Sequence, residues 1–181
     1  MKYIFDFDDV LFNNTTQFKE HIYTCLEKAG VSRNTAEEYY KKERVNPLHL
    51  KKILAHFSVR EDLYEEIMVN SKNFSNEELF KIIRKIGKDN CYIITYGNKE
   101  FNLDKITRSG AGDLFHKRNV FIVSGSKKDI IEKICDKHKD EEVIFIDDKA
   151  YHFKDLDFKK YPNLRTILYT GQNLKPYLPR S

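Results

Sequence analysis

The sequence lacks several features that would place it in a common class of protein at once. Its 181 residues contain three cysteines, Cys25, Cys91 and Cys135, which are far apart and form no CxxC pair. This spacing argues against a disulfide framework and against a cysteine-rich zinc site. The chain has no apolar run of membrane-spanning length and no signal-peptide profile at its start. We therefore expect a cytoplasmic protein that has no membrane partner.

Glycine-rich phosphate-binding signatures are also absent. The chain has 7 glycines and 4 prolines, and the motifs GxGxxG, GxxxxGK[ST] and GxSxG do not occur. The net charge of +4 is small, and the charged residues, 33% of the chain, are well mixed. Such a surface suits an anionic substrate, but it lacks the concentrated basic stripe that would indicate a nucleic-acid partner. The oligomeric state is not indicated.

Compact apolar runs, rich in Ile, Val, Phe and Tyr, indicate buried strands. They cover residues 2–7, 91–95, 119–123, 142–146 and 165–169. Continuous runs of this kind are typical of parallel strands that are covered on both faces. Helical patterns at 98–109 and 126–138 lie between the later strands. This alternation predicts an α/β protein with a doubly wound parallel sheet and a Rossmann-like core.

Between the first two predicted strands the sequence is helical only. Several patterns with the helical period occur there, and two of them end at Gly30 and Gly87. Helix starts are predicted by two capping boxes and by one cap followed by proline: Ser58 with Glu61, Ser75 with Glu78, and Asn46 with Pro47. We therefore predict a catalytic core formed by residues 1–13 and 89–181, with an inserted α-helical cap over residues 14–88.

Pairs of aspartates follow two of the predicted strands. The stretch FDFDDVLF places Asp6 and Asp8 at the end of the first strand, where residues two apart share a face, and VIFIDDK places Asp147 and Asp148 after a later strand. Because ligands bind at the carboxyl ends of such strands, the four carboxylates should converge on one pocket. Two carboxylates about 4 Å apart repel by roughly 4 kcal/mol at an effective dielectric near 20. Magnesium is the hard cation that suits such a cluster.

A threonine and a lysine complete the pattern. The stretch CYIITYGN places Thr95 at a strand end, where its hydroxyl could bind a phosphate oxygen or could cap the turn. The stretch SGSKKDII places Lys127 and Lys128 at a helix start, where a cation opposes the helix dipole at a cost of about 0.3–1 kcal/mol. That placement suggests an anionic partner, although two solvated lysines would also explain it.

These four motifs, in this order, resemble the signature motifs of the haloacid dehalogenase-like superfamily. FDFDDVLF resembles the first motif, IITYGN the second, SKKDII the third and VIFIDDKAYH the fourth. The resemblance covers the whole predicted core. The helical residues 14–88 stand where this superfamily carries an α-helical cap of the first type.

The resemblance implies a role for each matched residue. Asp6 would be the nucleophile that forms an aspartyl-phosphate, and Asp8 would be the general acid and then the general base. Mg²⁺ would be held by Asp6, by the main-chain carbonyl of Asp8 and by Asp148, with Asp147 as a second ligand or an outer partner. The phosphoryl group would be bound by residues of the second and third motifs, namely Thr95, Tyr96, Gly97 and Lys127.

The resemblance implies a magnesium-dependent phosphatase that acts on a small phosphorylated metabolite. Asp8 favours a phosphatase, because true dehalogenases of this superfamily lack an acid at that position. A phosphomutase or phosphotransferase would use the same residues. A receiver-like signalling domain and a phosphate-binding module without turnover are further alternatives. His152 stands four residues after Asp148, where some members have Asp or Asn.

Overall fold

The computed structural model describes residues 1–43, 47–171 and 174. At its centre is a five-stranded parallel sheet in the order β3-β2-β1-β4-β5. The strands are β1 (Lys2–Phe5), β2 (Cys91–Tyr96), β3 (Val120–Val123), β4 (Val143–Asp147) and β5 (Leu164–Leu168). Each strand falls on a predicted apolar run, so the predicted Rossmann-like α/β fold is confirmed. The first strand, however, ends at Phe5 and does not reach residue 7.

Helices lie on both sides of this sheet. The α-helices in the described part of the chain are α1 (Thr15–Lys28), α2 (Arg33–Glu43), α3 (Leu50–His56), α4 (Leu63–Met68), α5 (Glu77–Ile86), α6 (Lys99–Arg108) and α7 (Lys128–Lys137). The first five lie between β1 and β2, which confirms that the insertion there is helical. The boundaries at residues 13 and 88 and the type of cap stay predictions. None of the described helices is long and apolar enough to cross a bilayer.

Apolar side chains pack against both faces of the sheet, because successive residues of a strand point in opposite directions. On one face, Ile4 belongs to a buried cluster with Phe145 and with Ile134 of α7. On the other face, Tyr3 and Phe5 belong to a larger cluster that also includes buried residues of the five inserted helices. The inserted helices therefore share a hydrophobic core with the sheet.

The helix starts predicted at Ser58 and Pro47 are wrong. Ser58 has a left-handed backbone with φ 49°, and its N–H donates to the carbonyl of Ala55 at 3.1 Å. It therefore belongs to the turn that ends α3, and α4 begins only at Leu63. Pro47 is not helical, because α3 begins at Leu50. Asn46 lies outside the described residues.

The helix start predicted at Ser75 is displaced by one residue. Asn76 caps α5, since its Oδ1 accepts a hydrogen bond from the N–H of Leu79 at 3.2 Å. The hydroxyl of Ser75 donates instead to the carbonyl of Ser109 at 2.8 Å. Ser75 thus ties the inserted helices to the end of α6.

Candidate active site

Asp6 is the first residue after β1 and lies almost entirely inside the protein, with 3% of its surface exposed. Its N–H donates to the carbonyl of Ile146 on β4 at 2.9 Å, which extends the sheet pairing past the end of β1. Its Oδ1 accepts from the N–H of Phe7 at 2.7 Å and lies 2.8 Å from Lys127 Nζ. Within the described residues no hydrogen bond reaches Oδ2, so Oδ2 is the oxygen of Asp6 that remains available to a ligand.

Lys127 is the buried cation that joins two strand ends. It immediately precedes α7, and its Nζ lies 2.8 Å from Asp6 Oδ1 and 2.7 Å from Asp147 Oδ2. Burial raises the pKa of Asp6 to about 6, while Lys127 opposes this rise and Asp147 adds to it. Lys127 thus forms ion pairs with two buried carboxylates. Because the pKa of Asp6 is raised, ionisation of Asp6 destabilises the folded protein.

Asp147, the last residue of β4, has more donors than Asp6. His152 Nδ1 lies 2.7 Å from its Oδ2, and the N–H of Lys149 donates to its Oδ1 at 2.9 Å. Burial alone would raise the pKa of Asp147, but the hydrogen bonds from His152 and Lys127 hold it below its ordinary value. Asp147 is therefore a fixed anion whose two oxygens are already bonded.

Asp148 differs from its neighbour because one of its oxygens has no partner. Its Oδ1 is buried and makes no hydrogen bond within the described residues. Its Oδ2 lies 3.5 Å from Lys149 Nζ. Burial raises the pKa of Asp148, and Lys149 opposes that rise. A buried oxygen without a donor costs free energy, and a metal cation would supply the partner that it lacks.

Carboxylates at this edge of the sheet could hold a metal ion in either of two ways. Ligand atoms of Asp6, Asp147 and His152 all lie within 4.8 Å of one another. Lys127, however, already lies between the two carboxylates of this group, and His152 uses its Nδ1 to bond Asp147. Mg²⁺ prefers oxygen ligands to imidazole. Among Asp6, Asp147 and Asp148, the oxygens without a hydrogen bond within the described residues are Oδ2 of Asp6 and Oδ1 of Asp148.

Asp8 lies in the turn after Asp6 and pairs with a different lysine. Its Oδ1 is 2.6 Å from Nζ of Lys105 on α6. Because β1 ends at Phe5, the strand alternation predicted to bring Asp6 and Asp8 to one face does not apply. Both side chains nevertheless line the same pocket.

Asp9 fixes the connection between this turn and α1. Its backbone is left-handed, with φ 59°, a conformation that Asp tolerates better than most residues because its side chain bonds locally. Its Oδ1 accepts from the N–H of Thr15 at 3.0 Å and from the Thr15 hydroxyl at 2.7 Å. These bonds hold the start of α1 at the pocket, where Thr15 and Thr16 belong to the lining.

The loop after β2 brings the second motif to the same place. Thr95 is buried and lines the pocket, whereas the side chain of Tyr96 is exposed at its rim. Gly97 has φ 152°, and a Cβ there would lie 2.4 Å from Nδ2 of Asn102. That same Nδ2 donates to the carbonyl of Tyr96 at 3.1 Å. The loop therefore requires glycine at residue 97 both for conformation and for space.

Most of the predicted site residues line one pocket of about 360 Å³. Those in its lining are Asp6, Asp8, Thr95, Tyr96, Gly97 and Lys127. Asp147 and Asp148 are not part of this lining, but Asp147 bonds three residues that are: Lys127, His152 and the main chain of Lys149. Lys128 points elsewhere, because its Nζ bonds Glu132 and the carbonyl of Asp155.

Inserted helices form the opposite wall of the pocket. Phe18 and Ile22 of α1 and Tyr40 of α2 supply apolar surface, and Lys19 adds a cation. Two further lysines of the lining, Lys105 and Lys149, were not predicted from the sequence. Lys149 directly follows the second aspartate pair and could have been noticed. For Lys105 the one signal is that it stands four residues after Phe101, on the buried face of α6.

Comparisons with known proteins support the fold. No family model matches the sequence, and no curated protein matches it. Among solved structures, a haloacid dehalogenase-like hydrolase from Burkholderia xenovorans LB400 is 16% identical, with a TM-score of 0.69 over 98% of this chain and 84% of that one. A dehalogenase solved as an intermediate complex is 12% identical, with a TM-score of 0.55 over 99% of this chain and 97% of that one.

The hydrolase YfnB from Bacillus subtilis, solved with bound magnesium, is also similar. It is 15% identical, with a TM-score of 0.53 over 91% of this chain and 84% of that one. At these identities the likeness concerns the fold. The chain therefore has the fold of the haloacid dehalogenase-like hydrolases, as its four motifs predicted.

Proposed function

We propose that this protein is a magnesium-dependent phosphatase that hydrolyses a small phosphomonoester through an aspartyl-phosphate on Asp6. The observation that carries the proposal is the arrangement of Asp6 and Asp8 in one pocket. Asp6 is buried and its Oδ2 is unbonded within the described residues, while Asp8 is held at the same pocket by another cation. A nucleophile and a proton-transferring acid are the two groups that such a displacement needs.

In the first step, Oδ2 of Asp6 attacks phosphorus, and the bond between phosphorus and the leaving oxygen breaks. Asp8 gives its proton to that oxygen, so the leaving group departs as a neutral alcohol while the phosphoryl group stays on Asp6. In the second step, Asp8 accepts a proton from water as the water attacks the phosphorus. Inorganic phosphate leaves, and the carboxylate of Asp6 is restored. Each step uses Asp8 once, which returns it to its starting form.

The phosphoryl oxygens would be bound opposite the nucleophile by the hydroxyl of Thr95 and by Lys127. Lys127 Nζ also bonds Asp147 Oδ2 at 2.7 Å, a contact that would hold its side chain in place while the substrate binds. Asp6, the main-chain carbonyl of Asp8 and Asp148 would hold Mg²⁺, with Asp147 fixed beside them by Lys127 and His152. A bound Mg²⁺ offsets the repulsion between the carboxylates and the phosphoryl oxygens.

Carbon–halogen cleavage is the second candidate, because one structure with a similar fold is a dehalogenase. A halide ion leaves without a proton, so a dehalogenase has no use for an acid at residue 8. Asp8 therefore favours phosphate ester hydrolysis, in which the leaving oxygen must be protonated. A phosphomutase or phosphotransferase differs only in the acceptor of the second step.

The test is hydrolysis of p-nitrophenyl phosphate with Mg²⁺, with a chelator, and by Asp6→Asn. We expect activity in the first case, none with the chelator, and a loss of at least about a thousandfold in the variant. Asp113→Asn, which changes an exposed carboxylate remote from the pocket, is the matched control and should keep full activity. Release of chloride from a 2-chloroacid in place of phosphate release would contradict the proposal. Transfer to an added alcohol, with no free phosphate formed, would indicate a phosphotransferase.

A further inference from the structure

Lys105 is a buried amine on α6 that no sequence motif indicated. Only 4% of its surface is exposed, and its Nζ lies 2.6 Å from Oδ1 of Asp8. Asp8 is itself about a quarter exposed, with 26% of its side chain accessible. Burying a lysine is costly unless its charge is compensated. Within the described residues, Asp8 is the carboxylate that forms a salt bridge with it.

Aromatic rings hold the Lys105 ammonium in place. Its Nζ lies 5.0 Å from the ring centre of Phe101, 5.3 Å from that of Phe12 and 5.5 Å from that of Phe7. These are distances at which a ring face attracts a cation. Phe7 and Phe12 flank Asp8 in the sequence, so the same turn supplies both the carboxylate and part of the aromatic surface. The amine is therefore restricted in position before any substrate binds.

The ion pair occupies only one oxygen of Asp8. Lys105 bonds Oδ1, and no hydrogen bond to Oδ2 is found within the described residues. When Oδ2 carries a proton, Oδ1 remains a carbonyl oxygen and can still accept from the ammonium. The bond from Lys105 can thus persist in both protonation states, and Oδ2 is the oxygen that exchanges the proton.

We propose that Lys105 is a positioning residue that orients the carboxyl group of Asp8 for proton transfer to the leaving oxygen. This inference rests on the proposed phosphatase function. Lys127 forms ion pairs with Asp6 and Asp147, whereas Lys105 forms one with Asp8. The proposed nucleophile and the proposed acid are therefore each paired with a different buried lysine. Lys105 acts through Asp8 and need not touch the phosphoryl group.

Substrates with different leaving groups test this role. An alkyl phosphate needs a proton from Asp8, whereas p-nitrophenolate is a stable anion that leaves without one. Lys105→Met keeps the apolar stem among the three rings and removes the charge. We expect it to lower kcat/KM on an alkyl phosphate such as glycerol 2-phosphate by about a hundredfold, and on p-nitrophenyl phosphate by less than about tenfold. The exposed Lys133→Met should leave both substrates unaffected.

A double variant tests whether Lys105 works through Asp8. If it does, Asp8→Asn and Asp8→Asn with Lys105→Met should have the same kcat/KM on the alkyl phosphate. The double variant contains neither charge of the pair, and in Asp8→Asn the amide oxygen can still accept from Lys105, so the comparison does not require Lys105→Met alone to fold.

The inference is overturned if Lys105→Met affects both substrates equally, if it affects neither, or if the double variant is clearly slower than Asp8→Asn. An equal loss on both substrates would place Lys105 on the phosphoryl group or in the fold. If the wild-type protein hydrolyses neither substrate with Mg²⁺, the proposed function itself fails, which is a separate outcome.

Discussion

At the amino end of the central sheet, charged side chains pair near the surface, whereas at the carboxyl end they pair in the interior. Near the start of β1, Lys2 Nζ lies 2.8 Å from Asn90 Oδ1 and 3.5 Å from Glu141. His138 Nδ1 lies 3.2 Å from the same glutamate, whose side chain is 37% exposed. After the end of β1, Asp6 and Asp147 share one lysine, and none of the three side chains is more than 4% exposed.

The two ends therefore differ in what their charges do for stability. Exposed pairs are screened by water and contribute about 0–1 kcal/mol each. Buried pairs lose their hydration, so they are weak sources of stability as long as both partners are present and a large source of instability when one is removed. A chain that needed only to fold would have no reason to bury two carboxylates beside one cation. The charges at the carboxyl end are thus placed at a cost to the fold.

Of the variants at the two ends of the sheet, Lys127→Met should lower the free energy of unfolding the most. It leaves Asp6 and Asp147 buried without their common cation, so we expect the free energy of unfolding to fall by about 3–5 kcal/mol. Urea unfolding at pH 7 with a chelator present measures this change. Lys128→Met is the matched control, because the neighbouring lysine bonds Glu132 and the carbonyl of Asp155 near the surface. A loss of stability that is no larger for Lys127→Met than for this control would show that the buried network is not under strain.

The second-largest effect is a gain in the free energy of unfolding, which we expect for Asp6→Asn. The pKa of Asp6 is raised from 3.8 to about 6 in the folded protein, so folding favours its protonated form. The ionisation cost is absent below pH 3.8 and complete above about pH 6. Asp6→Asn removes that cost and keeps an oxygen for the N–H of Phe7. We expect it to be more stable than the wild type at pH 7 by up to about 3 kcal/mol.

Thermal unfolding between pH 4 and pH 7, with a chelator present, checks the prediction for Asp6→Asn. The advantage of the variant should grow as the pH rises through the pKa of Asp6 and should vanish near pH 4. A variant that is less stable than the wild type at pH 7, or an advantage that does not change with pH, would contradict it. Asp113→Asn, a change at an exposed carboxylate, is the matched control.

The fold, and the motif residues at the carboxyl ends of the strands, could be predicted from the sequence for a simple physical reason. Strands that are buried on both faces must be apolar throughout, so their runs stand out in the sequence. Parallel strands then bring their carboxyl ends to one edge, whatever the details of the loops. Asp6, Thr95 and Asp147 were therefore predicted to lie at one edge of the sheet without knowledge of their side-chain contacts.

The partners of these residues could not be predicted in the same way. Lys105 is close to Asp8 only because α6 packs beside the turn after β1, and the sequence separates the two by almost a hundred residues. The cap of α5 was missed for a related reason. Asn76 also donates to the carbonyl of Val10 and to the hydroxyl of Tyr169, so tertiary contacts favour it over the capping box at Ser75.

A variant at the amino end of the sheet should lower the free energy of unfolding the least. Glu141→Gln weakens the pairs that Glu141, itself 37% exposed, makes with the amino group of Met1, with Lys2 and with His138, so we expect a loss below about 1 kcal/mol. The loss should shrink further in 1 M salt, because the Debye length falls to about 3 Å. Lys127→Met should keep most of its loss under the same conditions, since buried pairs are screened much less. Equal salt dependence of the two variants would mean that the two ends of the sheet do not differ as described, and urea unfolding at low and high salt decides between these outcomes.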